Sequence, residues 1–597
     1  MIGPPMAPPA PHGPAPSLVA APAGTSPMSR LIPPHGGELC ELLVGAAEAA
    51  RIKAESSAYP SIELDAAQLC DLELLLNGAF SPLRGFLGRV DYGSVLDRWR
   101  LADGTVWPMP IVLAVPPRQA ERLRPGQHLA LRDPEGFMLA RMQARDIWAP
   151  DLELEAHAVF GTLDRAHPGV GRLLSAKDAV YVGGPVQGLE LPRHYDFKAL
   201  RHTPAELRGR FAGLGWERIV AFHTRCPMHR AQRELTVRAA AEVEGHLLLH
   251  PVAGRGGTAD AGHYARLRCY QAVAAHYPAG LMMLSLVNLA MRMAGPREAL
   301  WHALIRKNYG CTHFLVGRDH AGARNGCTGE PEYAPGAAQE TVARAQDEIG
   351  IRMLPCPELA YLPAQARYVA LHEVPAGERT LDLPRAEARR RLREGLEIPD
   401  WFSYPDVMAE LRGLYPPKPL RGIALFFTGL SGAGKSSVAR VLQGRFLERG
   451  GRPVTLLDGD IVRKHLSSEL GFSREHRDLN ILRIGFVANE IAKNKGVAIC
   501  AAIAPYAEAR RRVRELISAH GDFIEIYVST PLAVCEQRDR KGLYAKARAG
   551  LIQGFTGISD AYEPPVKPEI VLDTSDLSPE EAAQEIWLYL ERQGYFG

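Results

Sequence analysis

A glycine-rich segment between an apolar run and a helical pattern constrains the fold of this chain more than any other feature. Residues 429–436 read GLSGAGKS, which matches the pattern G-x-x-x-x-G-K-[ST]. The apolar run 423–428 precedes this segment, and a helical pattern follows it up to a glycine pair at 450–451. The context predicts a P-loop, whose backbone N–H groups face the phosphates of a nucleoside triphosphate. The residues predicted to bind this nucleotide are Gly429, Ser431, Gly432, Ala433, Gly434, Lys435, Ser436 and Ser437, and Ser436 is also the predicted Mg²⁺ ligand.

Length and charge restrict the class of protein. A chain of 597 residues exceeds what one hydrophobic core supports, so several domains are expected. The 70 basic and 67 acidic side chains leave a net charge of only +3, which argues against a nucleic-acid or membrane partner. The nine cysteines form no CxxC pair, and the N-terminus has no basic region of the kind that begins a signal peptide. A reduced, cytoplasmic protein is predicted.

Composition and periodicity predict five segments. Residues 1–28, rich in Pro and Ala, are expected to form a disordered tail, with Met28 as an alternative start. Short alternating runs and turn motifs predict a β-rich domain at 29–193. Strands alternating with longer helices predict an α/β domain at 194–413 with a small C-terminal subdomain. A proline-rich linker at 414–421 then leads to the P-loop domain, with a parallel sheet, at 422–597.

Two carboxylates follow the next predicted strand of the P-loop domain. The run 454–457 ends in Asp458-Gly459-Asp460, and ligands of doubly wound sheets bind at the carboxyl ends of strands. Such carboxylates can orient an acceptor hydroxyl, take its proton or support Mg²⁺, although Asp460 can equally cap the following helix. Arginine forks and an aromatic ring suit an anionic nucleotide, and the candidates are Arg463, Phe472, Arg477 and Asn480.

The α/β domain contains two further turns at predicted strand ends. The stretch 223–232 reads HTRCPMHRAQ and opens a helix, whose free N–H groups and dipole favour anions. The stretch 317–322 reads GRDHAG and follows the apolar run HFLV. Both turns suit a nucleoside triphosphate and a small oxyanion.

The P-loop domain resembles adenylylsulfate kinases. The resemblance rests on 457–485 and 538–570 and extends over 422–597. It implies transfer of the ATP γ-phosphate, with Mg²⁺, to the ribose 3′-hydroxyl of adenylyl sulfate. The resemblance implies that Asp458 is the catalytic carboxylate, and Lys435 and Asp460 are the other catalytic candidates of this domain. The acceptor would contact Arg463, Arg477 and Asn480, with Phe472 and Phe555 flanking its adenine. Lys541 would begin a lid over 541–557.

One position departs from the kinase pattern. Members of that family often have serine in an I-S-P segment, once proposed to carry a phosphoryl group. Here the segment is Ile503-Ala504-Pro505, which offers no hydroxyl. Direct in-line transfer from ATP is therefore the expected mechanism.

The region 31–412 resembles ATP sulfurylases, which join sulfate to the α-phosphate of ATP and release pyrophosphate. The resemblance implies a PUA-like β-rich domain, a Rossmann-like nucleotidyltransferase domain and a homo-oligomer. It also implies the following roles: Thr224, Arg225 and His229 in catalysis, His223 and Arg225 at sulfate, and Gly317, Arg318, Asp319, His320 and Ala321 at the nucleotide.

The central sulfurylase motif, Q-T-R-N-P-[LM]-H-R-A-H, is altered here. His223 replaces the glutamine, Cys226 the asparagine and Gln232 the second histidine. A neutral glutamine cannot titrate, and a thiol is a weak donor, so charge on leaving pyrophosphate is less well stabilised. We expect weak or lost sulfurylase activity; the competing interpretation is a divergent, active site in which His223 compensates.

Some sulfurylases carry a structural zinc site after the G-R-D-H-A-G segment. Here Cys327 and Cys356 are isolated and fall short of four clustered ligands, so no zinc is predicted.

Three functions remain open. The first is an active kinase fused to an impaired sulfurylase, the second a bifunctional phosphoadenylyl sulfate synthase, and the third a sulfurylase with a non-catalytic regulatory kinase-like domain. The intact Lys435, Ser436 and Asp458 argue against the third, because such regulatory domains lose their phosphate-binding loop. The expected small molecules are ATP and adenylyl sulfate, with sulfate and pyrophosphate if the sulfurylase acts.

Overall fold

The structure is a computed structural model that divides into two compact units, residues 1–382 and 383–597. The division falls before the linker predicted at 414–421, and the domain boundaries given above stay a prediction. The predicted tail at 1–28 lies outside the described residues. The residues described are 31–254, 261–324, 330–539 and 541–596. Within them, no helix combines the length and apolarity needed to cross a bilayer.

The first unit begins with a β-rich domain, as predicted. Its elements are α1 (Ala46–Glu55), β1 (Ser61–Glu63), α2 (Ala66–Leu76), β2 (Gly85–Phe86), α3 (Arg89–Arg98), β3 (Leu113–Val115), α4 (Pro117–Ala120), β4 (His128–Arg132), β5 (Met138–Gln143), β6 (Asp146–Trp148), α5 (Leu152–Phe160), α6 (Pro168–Ser175) and β7 (Val180–Gly188). The sheet order is β1-β4-β5-β7-β2, and β3 and β6 also pair with β7. All pairs are antiparallel except β1–β4. The long strand β7 therefore organises this domain.

A parallel sheet follows in the same unit. Its elements are α7 (Pro204–Leu214), β8 (Ile219–Phe222), α8 (Arg230–Glu242), β9 (His246–Leu249), α9 (Ala261–Ala274), β10 (Met282–Leu284), α10 (Gly295–Asn308), β11 (His313–Val316), α11 (Ala337–Ile349), β12 (Arg352–Pro355), β13 (Leu359–Leu362) and β14 (Arg367–Ala370). The strand order is β10-β9-β8-β11-β12, with β13 and β14 as a separate antiparallel hairpin. The order reverses between β8 and β11, and ligands of open α/β sheets bind at such a switch point.

Helix α10 lies in the interior of this unit. Every residue of α10 except Pro296 is buried, including two arginines. Arg297 donates to the backbone carbonyls of Val95, Pro108 and Ala158 in the β-rich domain. These bonds compensate the loss of hydration at the buried guanidinium, so the helix is fixed against the β-rich domain.

The second unit contains the predicted parallel sheet. Its elements are α12 (Arg385–Glu394), α13 (Pro405–Leu414), β15 (Ile423–Thr428), α14 (Lys435–Arg449), β16 (Val454–Asp458), α15 (Gly459–His465), α16 (Arg474–Lys493), β17 (Val497–Ala501), α17 (Ala507–Ser518), β18 (Asp522–Val528), α18 (Leu532–Arg538), α19 (Leu543–Arg548), β19 (Ile570–Leu572) and α20 (Pro579–Arg592). The order β16-β17-β15-β18-β19 is parallel throughout. All six residues of β15 are buried, and β15 is the middle strand of the sheet. The P-loop therefore follows the carboxyl end of the central strand.

Candidate active sites

The P-loop turns from β15 into α14 through backbone conformations that only glycine adopts easily. The φ angles are 144° at Gly429, 76° at Gly432 and 91° at Gly434. A Cβ atom at Gly429 would lie 2.4 Å from the carbonyl oxygen of Val528. The three glycines thus allow the close turn that leaves N–H groups at the start of α14 available to an anion.

Lys435 lies under this turn. Its ammonium donates to the carbonyls of Gly429, at 2.9 Å, and Leu430, at 2.7 Å. Burial lowers the pKa of Lys435 to about 8, although the carboxylates of Asp458 and Asp460 favour its charged form. The cation is therefore held, poorly hydrated, beside the position predicted for the phosphates.

Asp458 precedes helix α15 and caps its N-terminus. The residue is 4% exposed, and its Oδ1 accepts a hydrogen bond from the Asp460 N–H at 3.0 Å. The residue that caps α15 is thus Asp458, whereas Asp460 is exposed and forms an ion pair with Lys541. The cap orients the Asp458 side chain at the carboxyl edge of the sheet, where a ligand is expected.

The predicted acceptor residues lie in α15, in the turn that follows it and in the first half of α16. The guanidinium carbon of Arg463 lies 4.6 Å from the ring centroid of Phe472, a cation–π contact on an exposed ring. Asn480 is buried, and its Oδ1 has no hydrogen-bond partner among the described residues. An unpaired buried carbonyl of this kind is available to a ligand.

Arg477 is held by the end of the predicted lid and by the residues just after it. Its Nη1 donates to Thr556 Oγ1 at 2.5 Å and to Asp560 Oδ2 at 2.6 Å, and its Nη2 donates to the Gly554 carbonyl. Tyr506 also donates to Asp560, at 2.5 Å. The guanidinium therefore anchors the end of the lid segment to α16.

The lid segment also contacts the P-loop directly. The hydroxyl of Tyr544 donates to the Ser431 carbonyl at 2.9 Å, and its ring meets that of Phe555 edge-on at 5.0 Å. Tyr544 thus connects the predicted nucleotide-binding loop to Phe555, the ring predicted to flank adenine. No sequence pattern had indicated this tyrosine.

Ala504, where the kinase family often has serine, faces the core. Its side chain is 1% exposed and packs in the cluster containing Ile481 and Ile484. Its carbonyl accepts from Arg510 Nη1 at 2.6 Å and from Thr428 Oγ1 at 3.1 Å. A hydroxyl at this position would be placed among apolar side chains.

In the first unit, the altered stretch 223–232 connects β8 to α8. Thr224 Oγ1 accepts from the Cys226 N–H at 3.3 Å, and Gln232 Oε1 accepts from the His229 N–H at 2.9 Å. Arg225 is exposed, with its Nη1 3.2 Å from the sulfur of Met293. The side chain of Gln232 therefore caps the helix by a hydrogen bond to the backbone.

His223 is turned toward the interior. Its Nδ1 accepts from Arg306 Nη2 at 2.8 Å, and its ring stacks on that of His302 with centroids 4.5 Å apart. Burial, followed by the nearby charges of His302 and Arg306, lowers the pKa of His223 well below its ordinary value. Burial has the same effect on the pKa of His320, so both rings are neutral near pH 7.

A cavity lies between the start of α10 and the loop after β11. Gly295 and Pro296 line one side, and Arg318, Asp319 and His320 line the other. The loop is fixed by a hydrogen bond from the Gly295 N–H to the Ala321 carbonyl at 3.0 Å. Of the five residues predicted at the nucleotide, Arg318, Asp319 and His320 therefore line one cavity.

Three comparisons with known proteins bear on these sites. Residues 32–191 match a PUA-like domain model, 198–413 an ATP-sulfurylase model and 421–573 an adenylylsulphate kinase model. A sulfate adenylyltransferase from Mycosarcoma maydis is 50% identical over 567 residues, which cover 94% of this chain and 99% of that protein. The chain belongs to the sulfate adenylyltransferase family. Both resemblances and the order of the domains are confirmed.

Further relatives extend this assignment. A sulfate adenylyltransferase from Aspergillus oryzae is 48% identical, with coverage of 94% of this chain and 99% of that protein. A solved structure, described as a hexameric APS kinase from Thiobacillus denitrificans, has a TM-score of 0.79 and 40% identity. It covers 95% of this chain, and the match includes 100% of that chain. Proteins that match nearly the whole of this chain are thus described as sulfate adenylyltransferases in two cases and as an APS kinase in the third.

Sequence reasoning missed three residues beside the altered motif. His302 and Arg306 lie within α10, and His250 follows β9. His250 is fully buried, and neither of its ring nitrogens has a hydrogen-bond partner in the part of the chain described. The sequence gives no local signal for them, because each stands among residues of an ordinary helix or strand end.

The lowered pKa of Lys435 predicts a pH dependence of nucleotide binding. Above about pH 8 the free protein loses the ammonium charge, whereas bound phosphates favour it, so binding must take up a proton. We expect the affinity for ATP to fall up to about tenfold per pH unit above pH 8. Lys435→Met should bind weakly and with no such slope. Titration calorimetry in two buffers measures affinity and proton uptake; a constant wild-type affinity through this range would contradict the expectation.

Proposed function

We propose that this chain phosphorylates adenylyl sulfate on its ribose 3′-hydroxyl, with ATP as donor, and that its sulfurylase site is weak or lost. The observation that carries the kinase assignment is the placement of Lys435 and Asp458. Both lie at the carboxyl edge of one parallel sheet, close enough for their charges to interact. This edge is where nucleotides bind in such folds.

The proposed transfer uses residues of this chain in separate roles. The Asp458 oxygen that is not engaged in the helix cap accepts the proton of the 3′-hydroxyl. The new bond forms between the ribose 3′-oxygen and the γ-phosphorus, while the bond from the γ-phosphorus to the β,γ-bridging oxygen breaks and ADP leaves. Lys435 and the P-loop N–H groups stabilise charge on the phosphates. Mg²⁺ bound by Ser436 would supply further charge neutralisation at the β- and γ-phosphates.

The acceptor would lie against α16. Arg463 and Asn480 offer a guanidinium and an unpaired amide oxygen, and Phe472 and Phe555 offer ring faces for adenine. Arg477 reaches the acceptor only if its bonds to Asp560 and the Gly554 carbonyl rearrange. Lys541 would likewise contact the acceptor only after its ion pair with Asp460 opens and the lid closes.

Asp458→Asn tests this mechanism without removing the helix cap, because asparagine caps helices as well as aspartate does. We expect kcat for adenylyl sulfate phosphorylation to fall by about 10²–10⁴, since the amide cannot accept the proton. ATP affinity should change little. Full activity in Asp458→Asn would contradict the assignment, and loss of both activity and ATP binding would point to misfolding, which circular dichroism detects.

Impairment of the sulfurylase site is supported by the placement of the altered residues. His223 is neutral, and its Nδ1 is engaged by Arg306, so it offers no positive charge to an oxyanion. Gln232 is uncharged and bonded to the backbone of His229. Neither replaces a preorganised cationic donor at the leaving pyrophosphate.

A bifunctional synthase is the second candidate. It is favoured by the cavity lined by Arg318, Asp319 and His320. Arg292, beside this region, is also held in place, through an ion pair with Asp71 at 2.5 Å. A nucleotide can therefore still bind while the chemistry at 223–232 is weakened. The regulatory-domain function has no comparable support, because Lys435 and Asp458 are intact.

A triple variant separates these two candidates. His223→Gln with Cys226→Asn and Gln232→His restores the family motif, and we expect sulfate-dependent pyrophosphate release to rise by about 10²–10³. Kinase activity, located in the other unit, serves as the internal control and should not change. If the parent chain already releases pyrophosphate as fast as the triple variant, impairment is wrong.

We also propose a cytoplasmic homo-oligomer that binds small molecules and no nucleic acid. The similar protein from Thiobacillus denitrificans is described as hexameric. None of the eight cysteines in the described ranges forms a disulfide, which suits a reducing compartment.

A further inference from the structure

Three imidazoles converge where the altered motif meets helix α10. His223 follows β8, His302 lies within α10, and His320 lies in the loop after β11. One ring nitrogen of each lies within 4.8 Å of the other two. His302 Nδ1 and His320 Nε2 are already 3.0 Å apart. The proposed kinase reaction uses none of these side chains.

We propose that His223, His302 and His320 form a binding site for a first-row transition-metal dication, with Zn²⁺ the expected occupant. Imidazole ligands suit Zn²⁺, Co²⁺, Ni²⁺ and Cu²⁺, and three histidines with an open fourth position form a common zinc site. Metal–nitrogen bonds of about 2.0–2.1 Å place ligand nitrogens roughly 3.0–3.4 Å apart. The pair from His302 and His320 meets this spacing, and His223, whose nitrogen lies within 4.8 Å of both, can reach it by a small shift of its side chain.

A carboxylate supports the central ligand. Glu298 Oε1 lies 3.3 Å from His302 Nε2, an ion-pair distance without the angle of a hydrogen bond, and Nδ1 of His302 faces the cluster. The carboxylate is itself held by the backbone N–H groups of Arg292, at 2.9 Å, and Ala294, at 2.8 Å. A carboxylate behind a ligating histidine fixes the tautomer and strengthens the ligand.

Arg306 opposes metal binding. Its Nη2 donates to His223 Nδ1 at 2.8 Å. A metal bound to Nδ1 of His223 would displace the Arg306 N–H. A metal bound to Nε2 of His223 would leave a proton on Nδ1, and this N–H would then face the N–H of Arg306. Loading therefore breaks the contact between Arg306 and His223 in either case. Arg306→Gln removes the charge and offers an amide oxygen to Nδ1–H, so it should bind metal more tightly than the wild type.

Sequence reasoning predicted no zinc, because it considered only the cysteine ligands. The three histidines lie 79 and 18 positions apart in the chain and share no motif spacing. His223 completes the set, and it stands where the sulfurylase motif has glutamine. His223→Gln therefore removes one ligand and installs a residue that the family tolerates at this position.

The test compares the untagged full chain with two matched variants. Because the chain has 20 histidines, His372→Gln, at an exposed position that belongs neither to the histidine cluster nor to the lining of the cavity, controls for adventitious binding. Each protein is stripped with a chelator and titrated with Zn²⁺, and with Co²⁺ as the spectroscopic probe. We expect one tight equivalent for the wild type and His372→Gln, and binding weaker by about 100-fold for His223→Gln.

Two independent readouts accompany the stoichiometry. The Co²⁺ protein should show visible d–d bands of low coordination number, and Zn²⁺ should raise the melting temperature of the first unit by a few degrees. Both effects should be absent in His223→Gln. Equal binding by the wild type and His223→Gln, or no tight equivalent in the wild type, would overturn the proposal. Weaker binding by correctly folded Arg306→Gln would overturn the role assigned to Arg306.

Discussion

The burial of helix α10 is the constraint on which the first unit depends. A helix with two arginines, a glutamate and a histidine in the interior is stable only if their polar atoms find partners. Arg297 finds them in the carbonyls of the β-rich domain, and Glu298 in the N–H groups of the preceding loop. Leaving a buried polar group without its hydrogen-bond partner typically costs about 1–3 kcal/mol, and more where the group is charged. The helix thus sets the position of both loops that form the sulfurylase-type site.

The same constraint explains why a change in the motif at 223–232 affects the interior. Arg306 has two guanidinium nitrogens without partners in the described ranges, and its third bonds to His223. The substituted ring is therefore directed to the interior, where burial keeps it neutral. His223 therefore adds no positive charge at the start of the motif, and its ring lies in an aromatic, nitrogen-rich cluster with His302 and His320. In the second unit, by contrast, the buried ammonium of Lys435 is held beside the predicted phosphate position by hydrogen bonds to the carbonyls of Gly429 and Leu430.

The sequence predicted the second unit well because its signals are local. The P-loop spacing, the apolar run before it and the Asp-Gly-Asp after the next strand together indicate a parallel sheet with a site at its carboxyl edge. The role of Asp458 as the cap of α15 was less accessible, because the sequence also offered Asp460 as a cap, whereas α15 begins at Gly459 and includes Asp460 in its first turn. The anchoring of Arg477 by Thr556 and Asp560 joins positions 79 and 83 residues apart, and no local pattern predicts such a contact. The histidine cluster was hidden for the same reason.

We propose above that the P-loop unit retains its chemistry and that the first unit has lost most of its own. The decisive measurement gives the purified chain ATP and Mg²⁺ with either adenylyl sulfate or inorganic sulfate, in the presence of pyrophosphatase. We expect phosphoadenylyl sulfate to form from adenylyl sulfate at about 1–100 s⁻¹. From sulfate, the rate should be lower by at least about 10². Equal rates from the two substrates, or no product from adenylyl sulfate, would contradict it.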